Sequence, residues 1–174
     1  MTSTSWWQRI KQDTARLHGW LYDQYRGEIT AADRIETLRD TYCLPPDRAY
    51  RMLTVIAAQE RDHARWVGEL LAARGLEVSV RDKAERYWPE VLPGIADLET
   101  GAAVGAHAER MRLERIEAIA ADPTAPVDIR QVFAAILPQE RFHARAFAQL
   151  STPEAMARTA NAHALGREAL GLVA

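Results

Sequence analysis

Apolar residues recur at spacings of three and four along most of the chain, the period of a helix that buries one face. The first such stretch follows a Ser/Thr cap within residues 3–5 and ends at Pro45-Pro46, with a bend predicted at Gly19. A second stretch begins after the cap residue Asp47 and ends before Gly75. Each stretch predicts a long amphipathic helix, and together they predict a helical hairpin.

The second part of the chain predicts another hairpin, with helices over residues 95–121 and 128–150. A longer connection over residues 75–94 separates the hairpins and is predicted to contain a short helix at about 81–88. Pro153 suits the first position of a fifth helix, at about 153–172.

No segment shows sustained strand alternation, so we predict an all-α fold. We expect residues 1–174 to form a single domain, with a core bundle at about 20–150 and an added C-terminal helix.

Composition excludes several classes of protein. The net charge is −2 and no basic run occurs, so we expect no nucleic-acid partner. Cys43 is the only cysteine, which excludes an intrachain disulfide and a metal site made of several cysteines. The N-terminus lacks the apolar core of a signal peptide, and no apolar stretch reaches membrane-spanning length. We therefore expect a cytoplasmic protein that does not contact the membrane.

One short segment occurs twice in the chain. Residues 59–65 are Gln-Glu-Arg-Asp-His-Ala-Arg, and residues 139–145 are Gln-Glu-Arg-Phe-His-Ala-Arg. In each copy a glutamate precedes a histidine by three residues, which places both side chains on one helix face, one turn apart. A carboxylate oxygen beside an imidazole nitrogen is half of a site for a divalent transition metal. Two copies predict a complete site.

The first helix of each hairpin also offers glutamates, and height along the bundle selects among them. Two residues of an antiparallel hairpin lie level when the turn is midway between them. The midpoint of Glu28 and Glu60 is position 44, beside the Pro45-Pro46 turn, and the midpoint of Glu109 and Glu140 falls between Pro123 and Pro126. The alternatives Glu36 and Glu117 would lie about 12 Å of helix rise away.

The six selected residues lie on the apolar faces of their helices, where unpaired charge is costly. Metal ions would convert that cost into ligand bonds. The alternative is that they are surface residues in salt bridges, repeated only because the halves are duplicated. We prefer metal binding because both halves place the same residue types at one height. The predicted ligands are Glu28, Glu60, His63, Glu109, Glu140 and His143.

This ligand pattern resembles that of the ferritin-like superfamily, and its layout is similar to rubrerythrins and bacterioferritins. The resemblance implies a four-helix bundle with a long crossover and a dinuclear centre of two iron ions per chain, with manganese as the alternative. Carried over to this chain, the resemblance implies that Glu28 and His63 bind one metal ion and that Glu109 and His143 bind the other. It also implies that Glu60 and Glu140 bridge the two ions.

Two features depart from rubrerythrins. This chain lacks the paired cysteines of a rubredoxin module, and the extra glutamate one turn from Glu109 is missing, since the flanking residues are Gly105, Ala106, Arg112 and Leu113.

Tyr25, one turn before Glu28, either donates a hydrogen bond or an electron to the site or packs in the core. Trp6 and Trp7 either anchor a dimer contact or cover the bundle end.

Three functions remain open. We prefer a redox enzyme that activates O2 or peroxide with electrons from an external donor, in which Glu60, Glu140 and Tyr25 are the catalytic candidates. The second is a biosynthetic oxygenase with a small organic substrate, which a cavity beside the metals would favour. The third is a non-enzymatic iron store. We expect a homodimer.

Overall fold

A computed structural model describes residues 2–172. The described part of the chain contains helices and no strand, which confirms the all-α prediction. Its seven α-helices, with a 3-10 turn at Leu92–Gly94 after the fourth, are α1 Ser3–Lys11, α2 Thr14–Tyr42, α3 Arg48–Ala72, α4 Trp88–Val91, α5 Leu98–Ala120, α6 Val127–Leu150 and α7 Pro153–Ala169.

Helix starts follow from local side-chain chemistry. Asp13 accepts a hydrogen bond from the backbone of Arg16 at the start of α2, and Asp97 with Thr100 forms a reciprocal capping box at the start of α5. Thr152 caps α7, whose first residue is Pro153 as predicted.

The bundle consists of α2, α3, α5 and α6. Helix α2 packs along α3, and α5 packs along α6, so each half of the chain is an antiparallel hairpin. The long connection between α3 and α5 joins the two hairpins. This is the ferritin-like bundle with a long crossover that the sequence predicts.

Two local predictions are wrong. Gly19 lies inside α2, and the break falls instead at residues 12–13, where the cap residue Asp13 begins a new helix. The predicted short helix at about 81–88 is absent, since α4 begins only at Trp88. Residues 81–87 contact α2 mainly through charged side chains, including the Lys83–Asp23 ion pair, and Tyr87 is the only buried residue among them.

Aromatic side chains close one end of the bundle. Trp7 is fully buried, its ring meets that of Trp20 edge-to-face at 5.2 Å, and its indole nitrogen donates to Asp122 over 2.8 Å. This contact favours the interpretation that Trp7 covers the end of the bundle over the interpretation that it anchors a dimer.

No helix within residues 2–172 is long and apolar enough to cross a membrane.

The buried apolar side chains form two large clusters at different heights. One contains Leu21, Leu71 and Phe133, and the other contains Leu53 and Phe147. Along all four bundle helices, the predicted metal ligands occur between the residues of these two clusters. The site therefore lies at mid-height in the bundle.

Candidate metal centre

All six predicted ligands converge in the interior of the bundle. Five of them are completely buried, and Glu109 is 7% exposed. Helices α2 and α5 each contribute one glutamate, while α3 and α6 each contribute a Glu-x-x-His pair, so the residues come from all four bundle helices: Glu28 from α2, Glu60 and His63 from α3, Glu109 from α5, and Glu140 and His143 from α6.

The six residues form two overlapping groups. In each group, one ligand atom per residue can be chosen so that all chosen atoms lie within 4.8 Å of one another. Glu60 and Glu140 belong to both groups. The first group adds Glu28 and His63, and the second adds Glu109 and His143.

Each imidazole turns its Nδ1 atom toward the two shared carboxylates. Nδ1 of His63 lies 3.3 Å from Glu140 and 3.6 Å from Glu60. Nδ1 of His143 lies 3.1 Å from Glu60 and 3.9 Å from Glu140. The two rings are 5.7 Å apart between centroids. Because the Nδ1 distances to the shared carboxylates are similar, the halves present nearly equivalent sets of donors.

The other ring nitrogen of each histidine contacts a glutamine. Nε2 of His63 lies 2.9 Å from Oε1 of Gln139, and Nε2 of His143 lies 2.8 Å from Oε1 of Gln59. These outer partners are not among the residues predicted from the sequence. The signal was present, because each glutamine is the first residue of the repeated segment.

Arg112 also contacts the cluster and was not predicted from the sequence to do so. Its guanidinium enters the site from α5, forms an ion pair with Glu28, and brings Nε to 3.2 Å from Glu140. Arg112 follows Glu109 by three residues and so lies on the same helix face. A cation therefore occurs at one of the positions flanking Glu109, where the resemblance to rubrerythrins led us to look for another carboxylate.

Glu28 and Glu109, which each belong to only one of the two groups, have raised pKa values. Burial raises the pKa of Glu28 to about 7, although the nearby Arg112 opposes this shift. Burial also raises the pKa of Glu109 well above its usual value, and the charges of Glu140 and Glu60 raise it further.

The shared glutamates behave in the opposite way. Burial would raise the pKa values of Glu60 and Glu140, but Arg112 and the histidines lower both below the usual value. Neighbouring carboxylates, Glu140 first, overcome the effect of burial on His63 and raise its pKa to about 12. The guanidinium of Arg112 therefore compensates part of the carboxylate charge in this site.

The hydrogen bonding of the site is incomplete. Seven of the eight carboxylate oxygens and both Nδ1 atoms are buried without a hydrogen-bond partner in the described residues. Such atoms are rare in folded proteins and call for a ligand or ion. Carboxylate oxygens and imidazole nitrogens with open lone pairs suit divalent iron or manganese. The donor set therefore fits a dinuclear metal centre.

Glu36 and Glu117, the two glutamates not selected as ligands, lie outside the cluster. Glu36 pairs with Arg61 at 2.5 Å and Glu117 pairs with Arg141 at 2.8 Å, both on the outside of the bundle. The ring of Tyr25 lies close to Gly68 of α3, and no hydrogen bond joins its hydroxyl to a site carboxylate in residues 2–172. Its predicted catalytic role stays a prediction.

A family model for rubrerythrins matches residues 25–151, which include all six clustered residues. The chain belongs to the rubrerythrin family. Rubrerythrins are ferritin-like di-iron carboxylate proteins, so the match confirms the resemblance seen in the sequence. Searches of curated proteins and of solved structures found no match.

This rubrerythrin-family chain has a cavity of about 300 Å³ beside the cluster. The cavity lies between α2 and α5, and residues 83–88 of the crossover form its outer wall. Glu109 and Arg112 both line it. The predicted ligand cluster is therefore reachable from a chamber large enough for a small molecule.

Proposed function

We propose that this protein is a dinuclear iron oxidoreductase that reacts with O2 or peroxide. The observation that carries the proposal is the overlap of two Glu/His groups through Glu60 and Glu140. Rubrerythrin membership supports iron, and manganese suits the same donors. In the proposed ligand set, Glu28 and His63 would hold one ion, Glu109 and His143 would hold the other, and Glu60 and Glu140 would contribute to both.

A pair of ferrous ions supplies two electrons together to O2 or peroxide. The protein contributes placement and charge. The charge of two divalent ions would balance that of four ionised carboxylates once Glu28 and Glu109 have lost their protons, and the guanidinium of Arg112 would remain as one further positive charge beside the site. Gln59 and Gln139 fix the orientation of the two imidazoles.

The electrons come from an external donor. This chain contains a single cysteine and so carries no Cys-x-x-Cys pair that could bind a second redox centre. Added Fe(II), a partner protein or an organic substrate must supply them. Tyr25, one turn from Glu28, is the proposed relay or hydrogen-bond donor. We propose that the protein is a homodimer and that it acts in the cytoplasm.

A second candidate is an oxygenase that acts on a small organic substrate. The cavity of about 300 Å³ beside Glu109 favours this function over a non-enzymatic iron store, because storage needs no organic binding chamber. Oxidation of Fe(II) that becomes fast only with an added organic molecule would place this candidate first.

Anaerobic titration with Fe(II) followed by mixing with O2 tests the proposal. We expect two ions per chain and rapid oxidation, both impaired in Glu140→Ala and retained in Glu117→Ala, whose carboxylate lies on the outside. One ion per chain, or a native metal such as zinc that cannot change its oxidation state, would overturn the proposal.

A further inference from the structure

The cavity beside the candidate metal centre is partly lined by apolar residues. Trp20 and Gly27 face it from α2, Trp88 from the crossover side and Phe147 from α6. The aromatic residues among them make part of the lining apolar, which favours an organic ligand with an aromatic or aliphatic body over water and small inorganic ions.

Gly27 leaves room in the cavity. A Cβ atom added there would meet no other atom within 4 Å, although the residue lies next to Glu28 in the middle of α2. Glycine is a poor residue for a helix interior. Its presence keeps open the space beside a predicted ligand.

The acidic groups of the outer cavity wall are already neutralised. Glu85 is shared by two arginines, Arg26 at 2.9 Å and Arg34 at 2.6 Å. Asp23 pairs with Lys83. These contacts leave an excess of positive charge on this wall.

Arg115 adds a cation with no carboxylate partner. It lies one turn beyond Arg112 on α5, and within residues 2–172 no acidic group approaches its guanidinium within 4.0 Å. Its guanidinium instead lies over the ring of Trp6, 4.7 Å from the centroid, which does not neutralise its charge. Burial lowers the pKa of Arg115, as expected for a cation with incomplete compensation.

We propose that this cavity binds a small organic anion, with its charged group at Arg115 and its apolar body extending toward Glu109. Six residues of helix separate Arg115 from Glu109, a rise of about 9 Å. An arylalkanoate with a carboxylate at one end has this length. The assignment of the anion as a substrate rests on the proposed metal function, whereas its binding does not.

Calorimetric titration with 4-phenylbutyrate and its neutral analogue 4-phenylbutyramide tests the proposal, in both metal-free and Fe(II)-loaded anaerobic protein. We expect the carboxylate to bind at least tenfold more tightly than the amide. Arg115→Gln should remove this preference, and Arg110→Gln, at an exposed position on the same helix, should retain it.

A second pair of variants tests the location. Gly27→Leu should fill the cavity and weaken binding at least tenfold, whereas Gly94→Leu, in equally open space in the 3-10 turn and away from Arg115, should not. Melting temperatures near the wild-type value would show that both variants fold. Where Gly27→Leu fails to fold, Ala31→Leu, one turn further along the same cavity wall, takes its place.

Equal binding of acid and amide, or an unchanged affinity in Arg115→Gln, would overturn the anion site. Failure of the metal function gives a different result, in which 4-phenylbutyrate binds as expected but the chain holds fewer than two Fe(II). In that case the cavity is an anion-binding site and not a substrate site of a di-iron centre.

Discussion

Nε2 of His143 lies 2.8 Å from Oε1 of Gln59, which comes from the other half of the chain. His63 and Gln139 repeat this contact at 2.9 Å. When Nε2–H donates to the amide oxygen, Nδ1 is left to face the carboxylates as a metal donor. Each half of the duplicated chain thus orients the imidazole of the other half.

We expect Gln59→Leu to weaken metal binding. The substitution removes the acceptor for His143 and leaves a buried N–H group unpaired, and loss of such an outer partner typically costs about 10- to 100-fold in metal affinity. Anaerobic competition with a chelator for Fe(II) measures the change. The matched control is Gln149→Leu, at an exposed position of α6, and equal affinities in the two variants would show that the contact is not needed.

Arg112→Met should have opposite effects on the two states of the protein. Without metal, buried carboxylates lose a neighbouring cation, which should lower the free energy of unfolding by about 3 kcal/mol. With metal, the ions supply the positive charge, and no guanidinium competes for Glu28 and Glu140. The increase in melting temperature on metal loading should therefore be larger than in wild type.

Thermal melts with and without Mn(II) measure this difference. Arg110→Met is the control, because Arg110 is exposed on the same helix. If Arg112→Met leaves the metal-free melting temperature unchanged, Arg112 does not compensate the charge of the cluster.

Much of this site could be predicted because its placement follows from helix periodicity. Glu60 and His63 share a face through their spacing of three, and the turn at Pro45-Pro46 sets the height of Glu28 relative to them. Both relations depend on backbone geometry alone. The structure accordingly brings together all six residues that these relations select.

Arg112 could not be predicted in the same way. Its spacing from Glu109 gives the correct face, but a long side chain can reach either toward the cluster or into the neighbouring cavity. Which direction it takes depends on charges from three other helices. The crossover posed a similar difficulty, because the contacts of Glu85 with Arg26 and Arg34 depend on tertiary packing and not on local periodicity.

The C-terminal helix should make stability depend on pH. His163 accepts a hydrogen bond from the hydroxyl of Tyr87 over 2.8 Å, and its ring stacks on His107 at 4.4 Å. Burial, with smaller contributions from His107 and Arg167, lowers the pKa of His163 to about 4. Because the unfolded chain takes up this proton first, stability should fall as the pH drops from about 6.5 toward 4.

Melting curves between pH 7 and pH 4 measure this effect. His163→Asn should show a smaller fall than wild type, because it removes the group that titrates. His18→Asn should keep the wild-type slope, since His18 lies on α2, far along the chain from this contact. Identical slopes in His163→Asn and wild type would exclude this role.

Metal-dependent stability should distinguish the buried glutamates Glu28 and Glu109 from Glu36 and Glu117, which lie eight residues further along the same helices. A ligand present at 1,000 times its dissociation constant stabilises a protein by about 4 kcal/mol, so metal loading should raise the melting temperature. Glu28→Ala and Glu109→Ala should each reduce this rise, since each removes a donor from one of the two overlapping groups. Glu36→Ala and Glu117→Ala should retain it, because their carboxylates pair with arginines outside the bundle. Melting in the presence and absence of Mn(II) gives the comparison, and equal losses in both pairs of variants would contradict the placement of the ligands at this height.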